Sequence, residues 1–345
     1  MIKALTKSLK LRNIMAHSAE QIAKNLNLSI TTVRLVLNGK ADKYRISPKT
    51  QERIHKYVEV HGYSVNRIAQ SLKINKTHQF ALVIPRLTNF FFSNLAEQLE
   101  SRCHQSGYQL MICCTYNNTE HEKKLIKSLE EHSVDGIFIV SATEDCQRHA
   151  IKYCSKPIVF LDRNFAIDNA SYVVSNNYQS SYYLTTTMRS MISEPIYFFA
   201  GDRLLPTIKE RLQGYSDAIQ DYQTDIYIHY SAHNTVMDGK LMMEKYIAHH
   251  KNYPHNFIAS SLPILDGLLS VVHQYYGKIP QDINIGTFDE SLSLDFLPNN
   301  VWSIKQNDSQ LALNAFQLML DKIQNNDIQK TIIVESHLVK RTTKL

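Results

Sequence analysis

The chain has 345 residues, 43% of them hydrophobic and 20% charged, which is an ordinary globular composition and enough for two or three domains. Its net charge of +6 is unevenly spread. Residues 1–78 contain 15 Lys and Arg but 4 Asp and Glu, a net of +11, so the remainder carries −5. Because Lys and Arg supply most non-specific affinity for DNA, the head of the chain is predicted to meet a polyanion and the body is not.

Cysteine content, hydropathy and missing motifs exclude several classes of protein. The five cysteines are an odd number without a CxxC pair, which predicts neither a disulfide framework nor a zinc site and favours a reducing cytoplasm. No apolar run approaches the roughly 20 residues that span a bilayer, and no signal peptide is visible, so no membrane partner is predicted. The P-loop, dinucleotide-binding, GxSxG and HExxH motifs are missing. The sequence therefore predicts no enzyme, no cofactor and no metal site.

Two short helices joined by a tight turn are predicted near residues 18–38. Ser18 and Gln21 have the spacing of a capping box ahead of a helix that ends at Asn27. Ser29 can cap a second helix, which has an inward stripe of Val33, Val36 and Leu37. This is the pattern of a helix-turn-helix, whose second helix lies in the major groove of DNA. Other small helical hairpins share the pattern, so alone it leaves both interpretations open.

Residues on the outer face of the second helix, and in the loop after it, are candidates for DNA contact. They are Ser29, Ile30, Thr31, Arg34, Leu35, Asn38, Lys43 and Arg45. Ile30 and Leu35 are apolar, so contact with thymine methyl groups can replace some hydrogen bonding to bases. Ser47-Pro48 predicts the start of a third helix. The basic residues around that start favour phosphate contact over a merely solvated charged face.

Two segments, ITTVRLVLNGKADKYRISPKTQERI and HGYSVNRIAQSLKINKTHQFALVIP, resemble the DNA-binding head and hinge of the LacI/GalR family of bacterial repressors, most closely the branch with fructose and sucrose repressors. The resemblance continues more weakly to the end of the chain. It implies a hinge helix that orders on operator DNA as a dimer and wedges Leu72 into a minor-groove base step. The matching hinge residues are Asn66, Arg67, Ala69 and Leu72. Alone, about ten residues are too few for a stable helix.

The expected domains follow from these patterns. They are an N-terminal extension at 1–17, the helix-turn-helix head at 18–62, the hinge at 63–78 and the body at 79–345. Residues 1–16 carry four basic residues and no acid and stand ahead of the usual family start. They form either a basic arm along phosphates or, as we favour, a disordered tail or a misassigned start.

The body alternates short apolar runs with helical segments in two batches, which is typical of two doubly wound α/β lobes. FALVIP, LMICC, GIFIVS and PIVFLD are the strands of the first batch, and YFFAG, DIYIHY, NFIAS and INIGTF those of the second. A ligand cleft is expected at the carboxyl ends of these strands. The resemblance implies a periplasmic-binding-protein-like body with crossing strands. The first lobe then covers about 79–176 and 308–332, and the second about 177–307 and 333–345.

Eight residues, of which Arg86 is one, are candidates for effector contact. Asp162 and Arg163 end the run PIVFLD, where a carboxylate beside a guanidinium suits a sugar hydroxyl and a phosphate, although a surface ion pair is the alternative. The resemblance adds residues matched to its effector positions: Phe91, Phe92, Arg211, Ser261 and Asp289. Adjacent aromatics such as Phe91 and Phe92 are also typical of a core.

Two residues depart from the family pattern. Arg86 stands where an acid is common and would add to the positive field of the cleft if it faces inward, while Asn177 replaces a frequent Asp. The ligand is therefore expected to differ from that of the relatives, or the response to be lost.

Residues and resemblance together predict a cytoplasmic, dimeric or tetrameric repressor of sugar catabolism genes, associated with the nucleoid when bound to DNA. Its partners would be double-stranded operator DNA and a small sugar or phosphosugar resembling fructose 1-phosphate, because two arginines near the cleft favour a phosphate. Effector binding would shift the lobes and change how the hinge helices order. The alternative is a sugar-binding receptor module whose head serves protein docking or dimerisation.

Overall fold

The structure is a computed structural model, and it describes five stretches of the chain: 16–63, 76–132, 134–219, 224–324 and 329–342. The expected N-terminal extension up to residue 15 and the hinge positions Asn66, Arg67, Ala69 and Leu72 lie outside these stretches. The chain divides into two compact units, Met1–Thr77 and His78–Leu345.

The N-terminal unit contains three helices: α1 Ala19–Leu26, α2 Ile30–Leu37 and α3 Pro48–His61. The Ser18 hydroxyl accepts a hydrogen bond from the Gln21 N–H, and the Gln21 side chain accepts one from the Ser18 N–H, so the predicted capping box is present. α1 ends at Asn27, whose φ is 52°, and Ser29 caps α2. The predicted pair of helices and its tight turn are therefore present.

A small apolar core holds these helices together. Ile22 of α1, Val33 and Val36 of α2 and Ile54 of α3 are all at most 3% exposed. Leu37, predicted in the same stripe, is only half-buried at its margin. Since α-helical side chains repeat every 3.6 residues, burial of the two valines turns the opposite face of α2 to solvent.

The second unit is built from strands and helices that alternate along the chain. Its strands are β1 Gln79–Ile84, β2 Gln109–Cys114, β3 Gly136–Ile139, β4 Ile158–Leu161, β5 Tyr172–Ser175, β6 Tyr197–Ala200, β7 Ile228–Tyr230, β8 Asn256–Ala259, β9 Asn284–Phe288, β10 Asn300–Lys305, β11 Thr331–Val334 and β12 His337–Arg341. Its helices are α4 Phe90–Gln105, α5 Thr119–Glu131, α6 Glu144–Tyr153, α7 Asn177–Arg189, α8 Pro206–Ile219, α9 Val236–His250, α10 Leu262–Tyr276 and α11 Asp308–Gln324.

These strands form two six-stranded sheets, one in each lobe. The first has the order β11-β5-β4-β3-β1-β2 and is parallel throughout. The second has the order β12-β10-β9-β8-β6-β7, in which only β12 runs antiparallel. Apolar clusters lie on both faces of each sheet, as buried parallel strands require. The predicted α/β class with two doubly wound lobes is confirmed.

The chain crosses between the lobes three times, from β5 to α7, from β10 to α11 and from β11 to β12. The expected first lobe ended near residue 332, but β11 continues to Val334, so the last crossing falls two residues later. Helix α4 begins at Phe90, where the Asn89 side chain caps it by accepting a hydrogen bond from the Phe91 N–H.

Several elements of the body were not predicted from sequence. Strands β5, β10, β11 and β12 had no assignment. In the run DIYIHY only the last three residues, Ile228–Tyr230, form a strand, because Thr224–Tyr227 forms a 3-10 helix.

None of the helices within the described stretches is long and apolar enough to cross a membrane. All five cysteines have free thiols.

Candidate functional site

A small cavity of about 50 Å³ lies between the lobes, at the carboxyl ends of strands from both sheets. Its walls include seven of the eight predicted effector residues: Phe91, Phe92, Asp162, Arg163, Arg211, Ser261 and Asp289. The parallel strands of one sheet all end at the same edge, so residues that are far apart in sequence lie close together at that edge.

Asp162 and Arg163 form the wall of the first lobe. Asp162 directly follows β4 with a φ of 63°, and the side chains of both residues are less than 10% exposed. The alternative of a surface ion pair is therefore excluded. One Arg163 guanidinium nitrogen donates to the Asn117 Oδ1 at 3.0 Å and to the Ser141 carbonyl at 2.8 Å. Its Nε lies 3.8 Å from Asp162 and has no hydrogen-bond partner among the described residues.

Behind Arg163 lies a buried carboxylate that the sequence analysis did not identify. Glu122 of α5 is 1% exposed, and its Oε2 accepts a hydrogen bond of 2.7 Å from the Ala142 N–H. Burial raises the pKa of the Glu122 carboxyl, and the hydrogen bond from Ala142 and the charge of Arg163 counteract the rise. In the sequence TEHEKK this residue is indistinguishable from a solvated helix face.

Arg211 of α8 forms the opposite wall. It is 4% exposed, and its Nε donates to the Asn177 Oδ1 at 2.8 Å while an Nη donates to the Ser260 carbonyl at 2.7 Å. The guanidinium carbon lies 4.1 Å from the centroid of the Phe288 ring, a cation–π contact. The group is thereby fixed in position, and none of these contacts comes from a carboxylate.

Asp289 and Ser261 complete the wall of the second lobe. Asp289 follows β9 with a φ of 71° and accepts a hydrogen bond of 2.6 Å from the Gln306 amide. Ser261 occupies the N-cap position of α10, but its side chain makes no capping bond. Its buried Oγ has no partner within the described part of the chain. An unsatisfied buried hydroxyl at a helix N-terminus is a ready hydrogen-bonding group for an anion.

A chain of hydrogen bonds joins these walls through two of the crossing segments. Gln306, on the crossing from β10, donates to Asp289 and accepts from the Ser175 hydroxyl at 2.5 Å. Ser175 lies at the start of the first crossing, and its carbonyl accepts from the Asn177 amide at 3.2 Å, which in turn accepts from Arg211. All five residues are at most 5% exposed. Asp289 and Arg211 are thus bonded to the segments that set the position of the lobes.

Two arginines and two aspartates balance in charge around the cavity. Burial raises the pKa of the Asp162 and Asp289 carboxyls, and the neighbouring arginines counteract that rise. Burial lowers the pKa of Arg163 and Arg211, and the aspartates counteract that fall. Arginine remains charged at any working pH. Recognition of a ligand here must therefore exchange existing buried contacts for new ones.

Of the remaining predicted residues, Phe91 and Phe92 line the cavity and Arg86 does not. Phe91 and Phe92 both line the cavity and belong to the apolar core of the first lobe, with ring centroids 5.2 Å apart, so their position is compatible with ligand contact as well as with core packing. Arg86 is exposed, is not among the residues that line the cavity, and lies 5.2 Å from the centroid of the Tyr116 ring. Arg86 therefore does not face the cavity, and the expectation that it adds to the positive field of the cleft is corrected. It follows Pro85 on an exposed loop and stacks outward.

On the head, Ser29, Ile30, Thr31 and Arg34 are exposed around the start of α2, whereas Leu35 is half-buried. The guanidinium of Arg34 contacts the carboxylate of Glu20 on α1 at 2.5 Å. Exposed ion pairs of this kind contribute little, so a DNA base can replace Glu20 as the partner. The other predicted contacts, Asn38, Lys43 and Arg45, are also exposed.

Known proteins resemble the chain over most of its length. Residues 77–342 match the family of periplasmic binding proteins and the sugar binding domain of the LacI family. The fructose operon regulatory protein of Vibrio cholerae is 29% identical over 307 residues, which cover 88% of this chain and 93% of that protein.

Two solved structures show the same fold. The Cra transcriptional dual regulator of Pseudomonas putida, in complex with fructose 1-phosphate, has a TM-score of 0.69 at 22% identity and covers 76% of this chain and 98% of that one. The Lac repressor bound to ONPG has a TM-score of 0.81 at 18% identity and covers 95% and 100%. Because the family model matches residues 77–342, more than half of the chain, the chain belongs to the family of periplasmic binding proteins and LacI sugar-binding domains.

Proposed function

We propose that the chain is a repressor that binds operator DNA through its head and loses that affinity when a phosphorylated sugar binds between the lobes. The observation that carries the proposal is the convergence of Arg163, Arg211, Ser261 and Asp289 on one buried cavity at the sheet edges. The regulated genes would serve sugar catabolism, which is in keeping with the name of the Vibrio cholerae relative, a fructose operon regulatory protein.

The surface of the head supports operator binding. α2 presents an exposed face with Thr31 and Arg34 beside the apolar Ile30, a combination that suits base edges and thymine methyl groups. The exposed basic residues Lys43 and Arg45 lie in the loop before α3 and suit phosphates. The hinge at 63–78, with Leu72 as the wedge, remains a prediction from sequence. Bound to DNA, the protein would lie on the nucleoid in the cytoplasm.

The direct partners of the two cavity arginines support a phosphorylated effector. Among the residues that the structure describes, Arg163 and Arg211 donate only to amide and carbonyl oxygens, those of Asn117, Ser141, Asn177 and Ser260. Asn177, where the family frequently has Asp, leaves the charge of Arg211 without a hydrogen-bonded carboxylate. A phosphoryl group can accept hydrogen bonds from Arg211 in place of such a carboxylate, and it can also bond the unsatisfied Nε of Arg163 and Oγ of Ser261. Fructose 1-phosphate, the ligand in the Pseudomonas putida structure, is the first ligand to test.

The hydrogen-bond chain through Gln306 and Ser175 offers the route from ligand to DNA. A ligand that bonds Arg211 and Asp289 alters the partners of residues on two crossings, and so the lobe position that the crossings favour. Lobe movement would change the separation of the hinge segments in a dimer. A coupling of about 1–3 kcal/mol would change operator affinity by roughly 5–150-fold.

A homodimer is the proposed working state, since palindromic operators mirror twofold protein symmetry. Exposed apolar side chains on the body suit such an interface. Met111 and Ile112 lie on the edge strand β2, and Val236, Met237 and Leu241 lie along α9, each at least 38% exposed.

The test is a footprint of the regions upstream of its own and adjacent genes, with and without fructose 1-phosphate. The proposal expects a protected palindrome that the phosphosugar releases. No protected site in any of these regions would favour instead a receptor module whose head docks on protein.

A second test is calorimetry, which compares the binding of fructose 1-phosphate with that of fructose and sucrose. Arg211→Ala is expected to abolish the preference for the phosphate. Tighter binding of a neutral sugar would refute the phosphosugar assignment.

A further inference from the structure

One peptide group at the edge of the first sheet is hydrogen-bonded to a charged side chain at each end. It joins Ser141 to Ala142, just after β3. Its C=O accepts a hydrogen bond of 2.8 Å from the Arg163 guanidinium, and its N–H donates one of 2.7 Å to the Glu122 carboxylate. Because the N–H and C=O of a trans peptide point in opposite directions, the carboxylate and the guanidinium lie on opposite sides of this one group.

Burial makes both of these hydrogen bonds strong. All four residues are buried, so water does not compete for the bonds. A hydrogen bond with a charged partner is roughly twice as strong as a neutral one, and hydrogen bonds in a chain polarise one another. The negative charge of Glu122 therefore makes the Ser141 carbonyl a better acceptor for Arg163.

The Ser141 carbonyl is the buried anchor of Arg163. The same guanidinium nitrogen also donates to the Asn117 Oδ1, but Asn117 is exposed on the loop after β2. The Arg163 Nε makes no hydrogen bond to any residue that the structure describes, and it lies 3.8 Å from the Asp162 carboxylate. One end of the guanidinium is thus held while the Nε is left for a ligand. The position of Arg163 in the cavity wall depends on the strength of the Ser141 contact.

The charge of Glu122 is matched by the charge of Arg163. The Oε2 of Glu122 accepts from the Ala142 N–H, whereas the buried Oε1 has no hydrogen-bond partner within the described stretches. The charge of Arg163 counteracts the rise that burial causes in the pKa of Glu122, and the charge of Glu122 counteracts the fall in the pKa of Arg163. A buried carboxylate is costly unless it is paired. Here the pairing runs across a peptide group.

We infer that Glu122 is a positioning residue of the cleft, whose charge acts through the Ser141–Ala142 peptide to hold the Arg163 guanidinium at the cavity wall. Glu122 itself is not among the residues that line the cavity. The consequence for ligand binding rests on the proposed phosphosugar response, because a fixed Arg163 is one of the groups that would bind the phosphoryl.

The sign of one substitution separates this role from a simple charge effect. Glu122→Gln keeps an oxygen that can accept from the Ala142 N–H and removes the charge. Loss of a negative charge alone would tighten the binding of an anion, whereas loss of a fixed Arg163 would weaken it. We expect Glu122→Gln to weaken fructose 1-phosphate about tenfold, the lower end of what loss of an outer partner does in metal sites.

The binding test is calorimetric titration of the full-length variants with fructose 1-phosphate. Glu120→Gln is the matched control, because it removes the same charge from the first turn of α5 at an exposed side chain that lies 3.6 Å from Lys123. The control should stay within twofold of the unaltered protein. In an Arg163→Met background, Glu122→Gln should weaken binding by less than twofold further, since no guanidinium remains to be positioned. Equal weakening in both backgrounds, or unchanged or tighter binding by Glu122→Gln alone, would overturn the inference.

A second measurement needs no ligand. In protein that carries isotope-labelled arginine, the buried Arg163 Nε–H should give a sharp NMR signal, assigned by its loss in Arg163→Lys, which keeps the buried charge. Glu122→Gln should broaden or remove this signal, and Glu120→Gln should not. An unchanged signal in Glu122→Gln would refute the positioning role. No binding of fructose 1-phosphate by the unaltered protein would instead contradict the proposed function, and the NMR signal would still decide the role of Glu122.

Discussion

Replacing Gln306 by Leu is expected to uncouple the effector site from the crossings. Leu is close to Gln in size, so the main loss is of two hydrogen bonds, one to the Asp289 carboxylate at 2.6 Å and one from the Ser175 hydroxyl at 2.5 Å. A hydrogen bond to a charged group contributes about 1.5–3 kcal/mol and a neutral one about 0.5–1.5 kcal/mol. Because Gln306 is 5% exposed, water cannot replace it freely. Gln306→Leu should lower the free energy of unfolding by about 2–4 kcal/mol.

The assay is urea unfolding followed by circular dichroism, together with operator binding in the presence and absence of fructose 1-phosphate. Gln317→Leu is the matched control. Gln317 also donates to a carboxylate, that of Asp321 at 2.9 Å, but both residues lie in helix α11 and Gln317 is exposed. The control should lose less than about 0.5 kcal/mol. If Gln306→Leu unfolds like the control and keeps the full effector response, the chain of hydrogen bonds does not couple the two lobes.

Three further variants test other parts of the account. Arg34→Ala should weaken specific operator binding by about 1–3 kcal/mol and leave random DNA within a few-fold; equal losses on both DNAs in anisotropy titrations would make it a phosphate contact. Leu72→Ala should reduce DNA bending as well as affinity, and unchanged bending in a gel-phasing assay would refute the wedge. Burial and the charge of Asp289 raise the pKa of Asp308 to about 6, so folding favours its protonated form and stability falls as pH rises from about 4 to about 6. Asp308→Asn should therefore stabilise the protein by about 1–3 kcal/mol at pH 8 and by little at pH 4, as measured by urea unfolding; equal gains at both pH values would assign the effect to packing.

Local patterns predicted the head because its signals lie within a few residues of each other. The capping box of Ser18 and Gln21 and the alternation of buried and exposed positions in α2 depend only on helix period and cap chemistry. Some of the body strands that were missed are mixed in polarity or partly exposed. β10, with the sequence NVWSIK, mixes polar and apolar residues, and β11 exposes Ile333 by 60% at the edge of its sheet. Such segments become strands only because a neighbouring strand supplies hydrogen bonds.

The candidate site was predicted where chemistry is carried by strand ends, and missed where it depends on tertiary burial. Asp162 and Asp289 each follow a strand, one in each lobe, so their position at the carboxyl ends of the two sheets could be expected. Gln306 and Glu122 carry no local signal, because their roles arise from partners such as Ser175 and Ala142 that are remote in sequence. Arg86 shows the converse, since it follows a strand but its loop turns the side chain to solvent.

The most direct test of the account is reciprocity between DNA and effector. Operator affinity is measured by fluorescence anisotropy with and without saturating phosphosugar, and phosphosugar affinity by calorimetry with and without saturating operator. Because coupling free energy belongs to both ligands equally, we expect each ligand to weaken binding of the other by the same factor, within roughly 5–150-fold. An operator affinity that the phosphosugar leaves unchanged, although both ligands bind, would contradict the claim that the cleft controls the head.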